Sequence, residues 1–80
     1  MKAEKIESEG ERIATQQWGG GSWVDVYKYK RKFYVIDEVG TSSFNDAAVA
    51  FQSAGIGRST YDRISHMDVA PEYEHLVTKE

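Results

Sequence analysis

The two histidines are the side chains best suited to acid–base chemistry, and neither has the neighbours that catalysis needs. His66 and His75 are the only histidines in a chain without cysteine. Nucleophilic catalysis needs an activated serine or cysteine, and the sequence contains neither a thiol nor a Gly-x-Ser-x-Gly nucleophile motif. The sequence therefore predicts no catalytic residue, and we expect a protein that is not an enzyme.

One residue pair has metal-ligand spacing. Glu72 and His75 form a Glu-x-x-His pair, which places two ligands on one face of a helix. Carboxylate-bridged metal centres in helical bundles use two such pairs and further carboxylates from other helices. His66 and Asp68 would add ligands only if the fold brought them close. We therefore predict neither a metal nor a cofactor.

The glycine-rich segment between Trp18 and Trp23 is the next candidate. Phosphate-binding loops present backbone N–H groups at the start of a helix, whereas the residues after Trp23 are typical of a strand. The segment therefore predicts a hairpin loop. Because tryptophan is favoured at binding hot spots, Trp18 and Trp23 are candidate contact residues.

Aromatic and basic residues alternate in the segment 23–36. Its aromatic residues include Tyr27, Tyr29, Phe33 and Tyr34, and its cations are Lys28, Lys30, Arg31 and Lys32. Sheets that bind single-stranded nucleic acid stack bases on aromatic rings while cations hold phosphates. The alternative is an amphipathic hairpin that has one face in the core and uses lysines against edge-to-edge aggregation.

The segment 47–65 allows a second nucleic-acid hypothesis. Residues 55–64 resemble the turn and the start of the recognition helix of a helix-turn-helix unit, with Arg58, Ser59, Thr60 and Arg63 towards DNA. Two residues depart from that pattern, since Phe51 is large at a helix contact and Asp62 would face phosphates. The competing interpretation is a helix, a glycine-rich turn and a strand that returns to the sheet.

Charge is distributed unevenly along the 80 residues, whose net charge is −3. Residues 23–36 carry four bases against one acid, and residues 37–80 carry three bases against eight acids. An acidic chain is a poor nonspecific ligand for nucleic acid or for anionic membranes. No apolar run is long enough to span a bilayer, so we expect no membrane partner. The lack of cysteine favours a reducing compartment, and we expect a cytoplasmic protein.

The strongest structural prediction is a β-hairpin over 23–36. If Lys30 and Arg31 form its turn, Tyr27 pairs with Tyr34 and Val26 pairs with Val35. Period-two alternation then places Val24, Val26, Phe33 and Val35 on one face, and Trp23, Tyr27, Tyr29, Tyr34 and Ile36 on the other. The aromatic face is then either covered by the C-terminal segment or left partly open.

A helix is predicted to follow, from Phe44 to Ala54. Ser43 is an N-cap candidate with Asp46 three residues later, a capping-box pattern. A stripe at i, i+3, i+4 and i+7 consists of Phe44, Ala47, Ala48 and Phe51. Gly55 is expected to end the helix.

The ends of the chain are less regular. We expect a short strand over Arg12–Gln17, preceded by a frayed arm or an edge strand in residues 1–10. Residues 58–69 fit a helix capped by Ser59 or an alternating strand. Pro71 suits the first turn of a last short helix.

These elements predict one α+β domain over residues 1–80, with residues 1–10 flexible. It is a small antiparallel β-meander of two to four strands packed against one main α-helix, with a C-terminal strand, a short helix or both. The expected core comprises Val24, Val26, Phe33, Val35, Phe44, Ala47, Ala48, Phe51, Ile56 and Leu76.

The function that we expect is a small acidic protein-binding module, a monomer or weak homodimer. Small acidic chains without cysteine are common among bacterial and phage accessory or inhibitor proteins. The expectation rests on this similarity to a class of proteins and not on a sequence motif. Carboxylates would then occupy a cationic groove on another protein. The candidate binding residues are Trp18, Trp23, Tyr27, Tyr29, Tyr34, Asp62, Asp68, Glu72 and Glu74. The alternative is a nucleic-acid-binding regulator that uses Lys28, Lys30, Arg31, Lys32, Arg58 and Arg63.

Overall fold

The computed structural model describes residues 3–59 and 62–78. The elements in chain order are α1 (Ala3–Glu9), β1 (Glu11–Trp18), β2 (Trp23–Tyr29), β3 (Lys32–Asp37), β4 (Thr41–Phe44), α2 (Ala47–Ala54), β5 (Ile64–Val69) and a 3₁₀ helix (Pro71–Leu76). No helix in the described part of the chain is long and apolar enough to cross a membrane.

Five antiparallel strands form one sheet in the order β4-β3-β2-β1-β5. Strands β1 to β4 form a meander, and β5 then returns to pair with β1. The predicted α+β class is confirmed, but the prediction of two to four strands and one main helix underestimated the number of elements. It lacked β4, whose residues Thr41-Ser42-Ser43-Phe44 have no alternating pattern, and it lacked α1.

The central hairpin has the predicted register. Tyr27 lies opposite Tyr34 and Val26 opposite Val35. The turn residues Lys30 and Arg31 have φ values of 49° and 66°. Both values are positive, as a two-residue hairpin turn of type I′ requires. The pairing of six residues on each strand thus outweighs the strain of placing two long side chains in the left-handed region.

Helix α2 begins later than predicted. Asp46 is itself the N-cap, and its carboxylate accepts a hydrogen bond from the Ala48 N–H at 2.7 Å. Ser43 and Phe44 belong to β4, where Phe44 pairs with Phe33. The shift changes the buried stripe, because Ala50 and Phe51 are buried whereas Ala48 is exposed. Gly55 ends the helix as predicted, with φ 73°.

The sheet has a core on each face. The α2 face carries the larger cluster, whose buried members are Ile13, Ala14, Val24, Val26, Val35, Ala50, Phe51 and Ile56. Phe33, Phe44 and Leu76 of the predicted core are half-buried beside it. The opposite, tyrosine face carries Ile6, Tyr27, Tyr29, Tyr34 and Ile36. The two faces of the sheet are therefore covered by different helices, one by α2 and the other by α1.

Helix α1 closes the tyrosine face, where the sequence predicted a frayed arm or an edge strand. Its side chain Ile6 is fully buried among the tyrosines. At Gly10 the chain turns into β1, and the Gly10 N–H donates to the Ile6 carbonyl at 2.7 Å. A Cβ at Gly10 would lie 2.6 Å from that carbonyl oxygen, so a residue with a side chain would push α1 off the sheet.

Candidate functional site

The three tyrosines predicted to bind a partner lie inside the tyrosine-face core. Tyr27, Tyr29 and Tyr34 are 8%, 6% and 8% exposed. The Tyr29 hydroxyl donates to a Glu9 carboxylate oxygen at 3.0 Å. Burial is the main cause that raises the pKa of Tyr27, with smaller contributions from the carboxylates of Asp25 and Glu7. These rings support α1 and offer little surface to another molecule.

The two tryptophans lie on opposite faces of the sheet. Trp18 packs against the α2-face cluster, and Trp23 packs against the tyrosine-face cluster. The indole N–H of Trp18 donates to the Arg58 carbonyl oxygen at 2.8 Å. Trp18 and Trp23 therefore flank the glycine loop in sequence without forming one shared contact surface.

The cations of the hairpin are exposed at one tip of the sheet. Lys28, Lys30, Arg31 and Lys32 are all exposed. The Lys30 ammonium lies 5.2 Å from the centroid of the Tyr29 ring. Because the interleaved tyrosines are buried, this tip can contact phosphates but has no tyrosine face on which a base could stack.

The segment 47–65 is not a helix-turn-helix unit. After α2, the chain turns through Gly55 and Gly57, and β5 begins at Ile64. Arg58 and Arg63 are exposed and lie outside any helix. Thr60, which the prediction directed towards DNA, lies outside the described residues. The competing prediction of a strand returning to the sheet is confirmed, because residues 64–69 form β5, which pairs with β1. A second helix in this segment would leave that edge of β1 without a partner strand.

The four predicted carboxylates do not form one surface. The Asp62 carboxylate accepts hydrogen bonds from the backbone N–H groups of Gly20 and Arg63, so it holds the glycine loop against the start of β5. Asp68 lies opposite Thr15, whose hydroxyl donates to Asp25. Glu72 and Glu74 are exposed on the 3₁₀ helix, which packs on the α2 face.

Both histidines are exposed, His66 in β5 and His75 in the 3₁₀ helix. Residues 3–59 and 62–78 contain no group of three or more histidine, aspartate or glutamate side chains arranged to hold a metal ion. Two depressions of about 270 and 260 Å³ are open to solvent, and no histidine lines either of them.

Sequence reasoning missed Gln16, which is a fully buried polar residue. Its amide nitrogen donates to the carbonyl oxygens of Gly55 and Arg58 at 3.2 and 3.5 Å. Its amide oxygen accepts from the Gly57 N–H at 2.7 Å. One side chain thus satisfies three backbone groups of the turn after α2. The sequence did contain one signal. Residues i and i+2 of a strand share a face, so Gln16 lies on the same face as the apolar residue Ala14.

Strand β5 lies at one edge of the sheet, and most of its residues are exposed. Its four central residues Ser65, His66, Met67 and Asp68 are all exposed, although they lie in a sheet that has helices on both faces. Met67 is 42% exposed, which makes it one of three exposed large hydrophobic residues in the described chain. The sequence allowed a strand here but did not show that it is an edge.

Hydrogen bonding shows which backbone groups of β5 point outwards. The Ala70 N–H donates to the Ile13 carbonyl oxygen at 2.9 Å, so Ala70 directs its backbone towards β1. In an antiparallel ladder this direction alternates from residue to residue, and the register from Ala14↔Val69 to Gln17↔His66 is regular. Asp68 and His66 therefore bond to β1, whereas Val69 and Met67 direct their N–H and C=O groups away from the sheet.

Comparison of the chain with protein-family models, with curated proteins and with solved structures finds no match in any of the three.

Proposed function

We propose that this chain is a small, acidic, non-enzymatic protein-binding module that docks another protein along the edge strand β5. The observation that carries the proposal is the run of four exposed residues on a strand whose outer backbone groups face away from the sheet. An uncovered edge is a template for pairing with an extended segment of another chain. The backbone bonds would supply affinity, and the alternating side chains would supply specificity.

The other candidate surfaces support the proposal by elimination. The predicted aromatic surface is occupied by α1, and Asp62 is engaged with the glycine loop. Natural edge strands are commonly protected by proline, by inward-facing charges or by a covering loop. Strand β5 contains no proline and presents Met67 to solvent.

The chemistry of the edge suggests the class of partner. Met67 offers an apolar contact on one side of the strand, and His66 and Asp68 offer polar contacts on the other. The fitting partner is an extended protein segment with an apolar residue between two polar ones. A bacterial or phage inhibitor that blocks such a segment, acting in the cytoplasm, is the biological form of the proposal. The lack of cysteine is consistent with a reducing compartment.

The experiment is affinity capture from cell extract with the substitution Met67→Pro. Proline at this position removes an N–H that points away from β1, so the β1–β5 ladder keeps its hydrogen bonds. The control is Val39→Ser, which removes the most exposed large apolar side chain among residues 3–59 and 62–78, at a turn far along the sheet from β5. We expect a captured protein to be lost with Met67→Pro and kept with Val39→Ser. A protein captured equally by both variants would contradict docking at β5.

A second candidate function is nucleic-acid binding at the tip of the hairpin. The observation that favours it is the exposure of Lys28, Lys30, Arg31 and Lys32 around one turn. Binding by phosphate contacts alone would fall steeply with salt, and replacing Lys30 and Arg31 by glutamine would reduce the salt slope. No binding to single-stranded or duplex oligonucleotides at low salt would exclude this function.

A further inference from the structure

We infer that the edge strand β5 pairs with β5 of a second copy of this chain, forming an antiparallel two-fold dimer centred on Met67. This inference rests on the proposed function and names the occupant of the docking edge. Three features of β5 favour this dimer: the direction of its backbone groups, the positions of its charges and its exposed apolar side chain.

The backbone restricts where two copies can pair. Two antiparallel strands related by a two-fold axis place residue i opposite residue j and residue j opposite residue i. The groups that point outwards belong to Met67 and Val69, so the hydrogen-bonded pairs of the dimer must come from these residues and others of the same parity. With Met67 opposite Met67 of the second copy, the two residues exchange both of their N–H to carbonyl bonds.

Charge selects this register from its neighbours. When Met67 faces its own copy, His66 lies opposite Asp68 of the second copy, and the same pair recurs on the other side of the axis. The neighbouring registers that keep outward-facing residues paired move the second strand by two residues. One of them places His66 opposite His66, and the other places Asp68 opposite Asp68. Directly opposed charges of opposite sign stabilise a sheet, and like charges destabilise it. Only the register centred on Met67 is complementary.

The apolar contact lies on the same axis. Met67 and Val69 are on the α2 face of the sheet, because they pair with Gln16 and Ala14 of that face. Val69 already packs beside the α2-face cluster, whereas Met67 is 42% exposed. The dimer buries the two methionines against each other, and the sheets of both copies join into one. The other edge, β4, has four residues, three of them Thr41, Ser42 and Ser43, and offers neither charge pairs nor an exposed large apolar residue.

The monomer leaves His66 and Asp68 available for these contacts. Their neighbours across the β1–β5 ladder are Gln17 and Thr15, which carry no charge. Substitutions at His66 and Asp68 therefore change the charge presented to a second copy without breaking an ion pair across that ladder. This makes a charge exchange a clean test.

The experiment is sedimentation equilibrium of the full chain and of three variants at pH of about 6. We expect a wild-type dimer that dissociates on dilution. His66→Asp places carboxylates opposite each other twice and should raise the dissociation constant about tenfold. Asp68→Lys places cations opposite each other and should weaken the dimer to a similar extent. The double variant His66→Asp with Asp68→Lys restores two opposite-charge pairs, and its dissociation constant should return to within about threefold of the wild type.

Circular dichroism of each variant tests whether the monomer still folds, and Met67→Pro adds a variant that removes the outward N–H together with the methionine contact. A folded Met67→Pro chain that is monomeric supports the inference. A wild-type chain that stays monomeric at its highest soluble concentration overturns it, as does a dimer that tolerates Met67→Pro. A double variant as weak as the single ones overturns the Met67-centred register.

The same variants separate this inference from the proposed function. A monomeric wild-type chain whose captured partner is lost with Met67→Pro overturns the second copy as the occupant and leaves β5 as a docking edge. A captured partner that is indifferent to Met67→Pro overturns the docking edge for that partner, whatever the oligomeric state.

Discussion

The two faces of the sheet are closed in different ways. The α2 face is covered by α2 and by the 3₁₀ helix, whose Tyr73 ring stacks on Phe51 at 6.1 Å between centroids. The tyrosine face is covered in the described chain by the seven residues of α1, through the single buried side chain Ile6. A seven-residue helix is too short to be stable alone, so α1 stays in place only because Ile6 packs on the sheet.

The difference shows how each face secures its polar groups. On the α2 face, the buried amide of Gln16 bonds to the turn that follows α2, and that turn also bonds to Thr78. On the tyrosine face, the Tyr29 hydroxyl reaches Glu9 at the end of α1. We therefore expect damage to the α2 face to unfold the domain, and damage to the tyrosine face to release mainly α1.

The largest expected effect comes from Gly57→Val. Gly57 has a φ of 92°, and a Cβ there would overlap the backbone carbonyl of Thr78. We expect a loss of about 3 kcal/mol or more in the free energy of unfolding, which is a large share of the stability of an 80-residue domain. Urea denaturation measures it. The control is Gly40→Val, since nothing lies within 4 Å of a Cβ at Gly40. Equal losses in both variants would show that Gly57 is not constrained by the C-terminal segment.

Gln16→Leu should have the next largest effect. It keeps the volume of the side chain but leaves the Gly57 N–H without its partner. The Gly55 and Arg58 carbonyls each lose one donor and keep another, the Arg58 N–H and the Trp18 indole N–H. A buried backbone group without a partner costs about 1–3 kcal/mol, and we expect a total loss of about 2–3 kcal/mol. Gln17→Leu is the matched control, because the neighbouring side chain is exposed and its loss should stay within about 0.5 kcal/mol. If the Gln16→Leu domain were as stable as this control, the hydrogen bonds of Gln16 would not stabilise the turn after α2.

Ile6→Ala tests the tyrosine face directly. Truncation of a buried isoleucine costs about 2 kcal/mol or more, which exceeds what a short helix can supply by itself. We expect hydrogen exchange to lose protection in α1 while β2 and β3 keep theirs. Lys5→Ala, on the exposed side of the same helix, should leave the exchange pattern unchanged. Uniform loss of protection across the sheet would mean that the two faces unfold together.

The smallest expected effect is an alkaline loss of stability through Tyr27. Burial raises the pKa of this phenol above its ordinary value of 10.0, so the unfolded chain releases the proton first. The stabilisation is fully present below pH of about 10 and is lost as the pH rises towards the folded pKa. Tyr27→Phe should therefore make the free energy of unfolding fall less between pH of about 9 and 11. Identical slopes in the two proteins would contradict the contribution of Tyr27.

Local patterns were sufficient for the central hairpin. The alternation from Trp23 to Ile36 sorted the valines from the tyrosines, and the structure confirms both the turn at Lys30 and the two predicted pairs. Period-two alternation is a property of each strand alone, so no distant contact was needed to interpret it. The end of α2 at Gly55 was predictable for the same reason, since the left-handed conformation there is local.

Competition between local signals caused the error at the start of α2. Ser43 and Asp46 are both acceptable N-caps, and the sequence pattern favoured Ser43. Asp46 is the N-cap because Phe44 of β4 pairs with Phe33 of β3, and this pairing keeps residues 41–44 extended. A cap contributes about 1 kcal/mol, which a strand pairing and a half-buried phenylalanine exceed.

The candidate site depended on contacts between distant residues. Nothing in the charged segment 3–9 indicates that Ile6 covers the tyrosines, and this cover is what removes the aromatic surface from the list of binding sites. The position of β5 beyond β1 equally follows from pairing between residues about 50 positions apart. That pairing left Met67, His66 and Asp68 exposed.

The sequence by itself determined the α+β class, the central hairpin with its two distinct faces, and the end of α2, because period, turn and cap are set by neighbours along the chain. Only the tertiary structure decided that α1 closes the tyrosine face, that Gln16 bonds to the turn after α2, and that β5 is an edge. Each of these depends on which surfaces meet after the chain has closed long loops, and the free energy of such contacts cannot be assigned to any one segment of the sequence.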